Sequence, residues 1–262
     1  MLTNHRINKK NKSDLKQYAY NHIMEQILGG RIKAGHKISD IKLANELGMS
    51  RTPVREAILQ LETEGIINQV PRYGVFLKEL NRDELKELYE LREMLEGPSA
   101  ERAAELINEQ QLNQLKKFCE IPLAIAKKLK REGKKEITKE ESNKLTIADM
   151  GFHILLMRIA GNRYVLKTIE RYAVMTKIMS RKGAKPGMPE LAHLAATYRD
   201  HYRVYRAIRN RDAKQAGFWM RRHIQLACAG ALARYDENQR KGIETEYVMV
   251  PSVHQLLSEL EQ

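Results

Sequence analysis

Apolar residues recur at helical spacing through the first sixty positions. Ala19, Ile23 and Ile27 form one stripe, Leu43, Ala44 and Leu47 a second, and Val54, Ala57, Ile58 and Leu61 a third. Spacings of three and four place each set on one side of an α-helix. The spacing predicts helices from about Leu15 to Leu28, from Ser39 or Asp40 to Gly48, and from Ser50 or Thr52 to Gly65. Pro53 falls in the first turn of the third helix, where a missing N–H costs nothing. Because proline disfavours the α region for the residue before it, Thr52 is expected outside the helix, with it or Ser50 as the cap. The period then changes. In IINQVPRYGVFLKEL two runs rich in Ile, Val and Phe flank Pro-Arg-Tyr-Gly, the composition of a β-hairpin turn. Three helices and a hairpin make a winged helix-turn-helix.

Asn81 with Glu84 three residues on is a capping box that opens a second, all-helical region. Amphipathic segments follow at about 81–107, with a kink expected near Gly97 and Pro98, then 109–130, 140–160, 162–182, 190–209 and 212–234. The charged stretch KKLKREGKKEITKEESNK reads as a solvated connection. Four regions result: a basic disordered arm over 1–13, the winged helix-turn-helix over 14–79, an antiparallel helical bundle over 80–235, and a tail over 236–262. In that tail Ser252 is placed to cap one short amphipathic turn or two. The fold class is mainly α.

Charge adds a partner to this outline. The chain of 262 residues carries a net +13, which draws polyanions at long range and makes nucleic acid the leading candidate. Only Cys119 and Cys228 are present, far apart, which suits a reducing cytoplasm and excludes a disulfide framework or thiolate cluster. The longest apolar run, around FHILLMRIA, is too short to cross a bilayer, so no membrane role is expected.

Arg51 and Arg55 lie one helical turn apart, opposite Val54, Ile58 and Leu61. They do not serve the core. An isolated pair of this kind is usually a solvated face joined to Glu56 or Glu62, but here a preceding turn, a capped start and a following hairpin surround it. In a helix-turn-helix the second helix enters the major groove, where arginine donates in bidentate fashion to guanine. Ser50 and Thr52 suit phosphate oxygens, and Arg72 and Tyr73 at the hairpin tip suit the minor groove or the backbone, with Gly74 allowing a tight approach, although the tip also reads as a plain solvated turn.

SRTPVREAILQLETEGII followed by a PRYG wing resembles the GntR family of bacterial transcription regulators. ELYELREMLEGPSAERAA and FHILLMRIAGNRYVL resemble the FCD effector-binding domain of its FadR subgroup, and the likeness spans about residues 14–235. One departure is Ile41, where some relatives carry an arginine used on DNA. The resemblance implies a homodimer that reads palindromic double-stranded DNA, and a regulator, by expectation a repressor, rather than an enzyme.

Asp149 and His153 stand four apart on one helix, spaced to grip an ion, although a chance pair with a structural histidine is the commoner case. His201 and His223 sit in later helices able to face the same interior. The resemblance implies a metal held by Asp149, His153, His201 and His223. Imidazole and carboxylate ligands suit Zn, Ni or Mn. It also places Arg92 near an effector, where its fork would clamp a small carboxylate; the plainer reading is an i,i+4 partner of Glu96. His22, His36, His193 and His254 read as structural or exposed. Two other functions fit the same features less well: a metal-dependent hydrolase, against which there is no HExxH motif and no evident general base, and a nonspecific basic nucleic-acid binder.

Overall fold

The computed structural model describes residues 12–28, 31–32, 35–169 and 191–241. The chain divides between Glu79 and Leu80 into two compact units.

In the first unit, helices α1 (Lys12–Leu28), α2 (Asp40–Leu47) and α3 (Arg51–Thr63) accompany strands β1 (Lys37–Ile38), β2 (Ile67–Val70) and β3 (Gly74–Leu77). The three apolar stripes meet. Ala19, Ile23 and Ile27 of α1 are fully buried with Val54, Ala57 and Leu61 of α3, and Leu43 and Ala44 of α2 close the same core. Burial of each large aliphatic side chain contributes about 1.5–3 kcal/mol.

Ser39 caps α2, its hydroxyl accepting from the Lys42 N–H, and Gly48 ends the helix in the left-handed conformation. At α3 the cap position belongs to Ser50, and Thr52 is helical despite the proline after it. The restriction before proline is overcome because burial of Pro53 and Val54 fixes the first turn against the core.

The wing is a three-stranded antiparallel sheet in the order β1-β3-β2, pairing Ile67 with Leu77, Val70 with Gly74, and Lys37 with Phe76. β1 was not anticipated, since two residues are too few to carry a period. At the tip Tyr73 N–H donates to the Val70 carbonyl across Pro71 and Arg72, and Arg72 has φ 68°. Proline second and a positive φ third is the pattern of a type II turn, in which glycine usually takes the third place.

The second unit consists of α4 (Arg82–Leu106), α5 (Glu109–Glu132), α6 (Lys139–Ala160), α7 (described over 163–169), α8 (Leu191–Arg209) and α9 (Ala213–Lys241). Asn81, Asn108 and Thr138 each open a helix with a reciprocal capping box. α4 packs on α9 and α6, α5 on α6 and α8, and α8 on α9.

α4 runs unbroken through Gly97 and Pro98. Gly97 faces α9: a Cβ there would lie 2.8 Å from Cγ of Arg221, so its absence permits the close approach. α6 lies at the centre, buried on every side from Met150 to Met157, as a helix apolar around its whole girth requires. α9 extends seven residues beyond the expected end at 234, through the polar run DENQRK. That run is helical because Asp236 accepts from Arg82 of α4 at 2.9 and 3.2 Å and Lys241 reaches Glu237 at 2.5 Å. The residues expected in a short helix around Ser252, the basic arm over 1–11 and most of 162–182 lie outside the described residues.

Candidate functional site

Two groups of side chains stand apart from the packing, one in each unit. In the first, Val54, Ala57, Ile58 and Leu61 anchor α3, while Arg51 and Arg55 project from the opposite side with 55% and 71% of their side-chain surfaces exposed. Ser50 and Thr52 are exposed beside them, and the Ser50 hydroxyl makes no capping hydrogen bond within its own helix.

A carboxylate not anticipated in the sequence faces the arginines. Arg51 donates through Nε and Nη2 to Oδ2 of Asp40, at 3.2 and 2.8 Å, and Nε of Arg55 lies 3.9 Å from the same oxygen. The Arg51 hydrogen bond is the chief reason that the Asp40 carboxyl sits below its ordinary range. Asp40 was missed in the sequence, although Ser39 as cap places it at the first position of α2, the helix that packs beside α3. Ile41, next to it, is 52% exposed.

At the wing, Arg72 and Tyr73 are exposed at the tip. Gly74 has φ 121°, and a Cβ there would fall 2.6 Å from Cε of Lys37, so the glycine seats a lysine that the sequence did not single out.

In the second unit, α6, α8 and α9 bring Asp149, His153, His201 and His223 together. One ligand atom from each lies within 4.8 Å of all the others. His201 Nε2 is 3.3 Å from His223 Nε2 and 3.7 Å from Oδ1 of Asp149. The rings of His153 and His223 stack at 5.2 Å, and Phe152 lies flat on His201 at 4.1 Å. The three imidazoles are buried, whereas the Asp149 side chain is 41% exposed and forms the open side. Burial lowers His201 to about 3 and His223 well below its ordinary value, so both are neutral with a lone pair to give.

Glu96, on α4, completes the arrangement and was not singled out in the sequence as part of it. It is 2% exposed and accepts His153 Nδ1 at 2.5 Å, which turns the Nε2 lone pair of that ring toward the other ligands. His153 Nε2 itself is buried without a hydrogen-bond partner. An orphaned acceptor among two neutral imidazoles and a carboxylate is the donor set that a divalent cation satisfies, so these residues fit a metal.

Arg92 donates Nε to Oε1 of Glu96 at 2.7 Å and lies over the Tyr89 ring. Burial favours protonation of Glu96, but Arg92 and His153 outweigh it and hold the carboxyl well below its usual range. The i,i+4 partnership of Arg92 with Glu96 is therefore present, and the guanidinium is one residue removed from the ligands. Of the other histidines, His22 is half-buried beside Gln26, and His36 and His193 are exposed. His254 lies outside the described residues. Among the described residues no helix is long and apolar enough to cross a membrane.

The FCD domain family matches residues 87–226, and the family of bacterial regulatory proteins, gntR family, matches residues 15–77. The Nta operon transcriptional regulator of Aminobacter aminovorans is 33% identical over 137 residues, which cover 52% of this chain and 60% of that protein. The uncharacterized HTH-type transcriptional regulator YdhC of Bacillus subtilis is 26% identical over 214 residues, 80% of this chain and 87% of its own. The chain thus spans less than two thirds of the first relative and most of the second. Among solved structures, Escherichia coli McbR/YncC aligns with a TM-score of 0.66 at 21% identity, covering 84% of this chain and 98% of that one, a likeness of fold. With a winged helix-turn-helix in the matched amino-terminal segment and a helical unit in the matched remainder, the chain belongs to the GntR family of bacterial regulatory proteins and is a DNA-binding transcriptional regulator carrying an FCD domain.

Proposed function

We propose that this regulator is a homodimeric repressor, acting in the cytoplasm, whose two copies of α3 read a palindromic operator and whose helical unit senses a small carboxylate at a bound metal. Arg51 and Arg55 are assigned to base edges, and Ser50, Thr52, Arg72, Tyr73 and the Gly74 backbone to phosphates. The domains that carry these two tasks are assigned to 14–79 and 80–235. Two-fold symmetry in the protein would match two-fold symmetry in the DNA, with half-sites one helical turn apart.

The observation that carries the sensing half is the convergence of Asp149, His153, His201 and His223 around the buried, partnerless Nε2 of His153. Those four residues would hold Zn, Ni or Mn, which would supply a Lewis-acidic seat for an effector carboxylate. The half-exposed Asp149 gives that seat an entrance, and the charge of Arg92 nearby favours an acid over a neutral or cationic ligand. Glu96 fixes the His153 ring and Phe152 the His201 ring, so the donors are oriented before anything binds. Coupling to DNA requires only that the effector favour one of two arrangements of the regulator.

The test is a mobility-shift titration with the duplex enriched by the protein from a random pool. Protein as purified, protein stripped by chelator, and protein reloaded with Zn, Ni or Mn are compared, each with and without a panel of organic and sugar acids. An acid that changes DNA affinity only in the metal-loaded protein, and not in His223→Ala, supports the proposal. Identical DNA affinity in every state would contradict it.

A further inference from the structure

Asp40 stands on the exposed face of the first unit as an acid among the groups assigned to DNA. A carboxylate there repels the phosphate backbone, so its presence calls for a compensating role. Its contacts supply one. Oδ2 accepts both Nε and Nη2 of Arg51, and the same oxygen lies 3.9 Å from Nε of Arg55. Arg51 and Arg55 belong to α3 and Asp40 to α2, so the carboxylate ties the two helices of the motif together through the side chains that project from them.

An arginine carries much rotamer entropy, a large part of which is lost when it docks on a base. A guanidinium held by its Nε and one Nη2 hydrogen has lost that freedom already. It also keeps its Nη1 hydrogens and the second Nη2 hydrogen for an acceptor on the far side. Asp40 is itself held in place: it follows the Ser39 cap, at the first position of α2, where the helix terminus favours negative charge. Only 24% of its side chain is exposed, so the carboxylate is seated rather than swinging in solvent.

We propose that Asp40 is a positioning residue for sequence readout: it pre-sets Arg51, and more loosely Arg55, in the orientation that discriminates guanine, at some cost in overall attraction to DNA. This rests on the assignment of Arg51 and Arg55 to base edges. Two effects of opposite sign follow. Removing the carboxylate lowers discrimination between sequences, because the guanidinium becomes a mobile charge that any phosphate or acceptor satisfies. It also leaves nonspecific affinity unchanged or raised, because one negative charge has gone from the face.

The experiment is selection from a random duplex pool followed by sequencing, with the full-length wild type, Asp40→Ala, Arg51→Ala and the double variant. Titration against a fixed nonspecific duplex at the same salt runs alongside. The expected result is a guanine position in the wild-type motif whose preference falls about tenfold in Asp40→Ala, the order that one bidentate contact supplies. That position is already flat in Arg51→Ala and no flatter in the double variant, and nonspecific affinity of Asp40→Ala is not reduced. Asp40→Asn, which keeps the shape and removes the charge, moves the same position in the same direction.

An unaltered guanine preference in Asp40→Ala and Asp40→Asn, beside a wild type that does enrich a motif, overturns the positioning role and leaves the reading helix standing. A parallel fall in specific and nonspecific binding means that Asp40 only holds α2 together, and overturns it too. A wild-type motif unaffected by Arg51→Ala overturns both assignments.

Discussion

His153 Nδ1 lies 2.5 Å from Oε2 of Glu96, and the other oxygen of that carboxylate accepts Arg92 Nε at 2.7 Å. The ring that supplies the orphaned Nε2 is thus steered from a different helix by a buried, doubly held acid. A hydrogen bond of this kind fixes the tautomer as well as the orientation of a ligating imidazole.

Replacing Glu96 with Gln should therefore weaken metal binding without touching a ligand. The expected loss is about 10–100-fold in affinity for Zn or Ni, the usual effect of removing an outer partner of a ligating histidine. Competition against a chromophoric chelator measures it. Affinity equal to wild type would mean that Glu96 serves packing alone.

Arg72 holds φ 68° at the tip of the wing, a conformation that costs a side chain about 1–2 kcal/mol. Arg72→Gly should raise the stability of the first unit by about 1 kcal/mol. It should also weaken binding to all duplexes alike and reduce the salt slope by about one unit, as loss of a single phosphate contact does. Urea denaturation and salt titration read the two effects separately. A variant that is more stable and binds DNA as before would make the tip a plain solvated turn.

Glu141 gives the pH dependence a definite sign. Its carboxylate accepts from Lys128 Nζ at 2.6 Å and from the Thr138 backbone N–H at 2.8 Å, and these bonds lower its pKa from 4.5 to about 2. A carboxyl whose pKa is depressed in the folded state stabilises fully above its unfolded value, and that contribution is lost as pH falls through the folded value. Glu141→Gln should be less stable than wild type at pH 7. The gap should narrow below about pH 4.5 and close near pH 2. Urea midpoints at pH 7, 4 and 2.5 follow it, and a gap independent of pH would show that the carboxylate charge is not responsible.

Much of this architecture is legible in the chain because it rests on local signals. The stripes of α1 to α3, the capping box at Asn81 and the turn of Pro71 to Gly74 each sit within a few residues of the structure they specify. Asp149 and His153 are legible for the same reason, since four residues span one helical turn. Contacts between distant helices leave no such trace. Glu96 meets His153 across 57 positions, and Asp40 meets Arg51 across eleven and a turn. β1 is too short to show alternation, and the end of α9 is obscured because its last turns carry only polar residues, with Asn238 buried, and are held by Arg82 of α4.

The outward display of Arg51 and Arg55 carries the account, and one measurement reaches it directly. The duplex that the wild type enriches from a random pool is titrated with wild type and with the Arg51→Ala, Arg55→Ala double variant, beside an unrelated duplex of equal length. The specific-to-nonspecific ratio is expected to fall by about 100-fold, as two bidentate contacts of about 1–3 kcal/mol each imply, while the variant still melts cooperatively. A ratio that survives the double substitution would contradict it and move sequence recognition off α3.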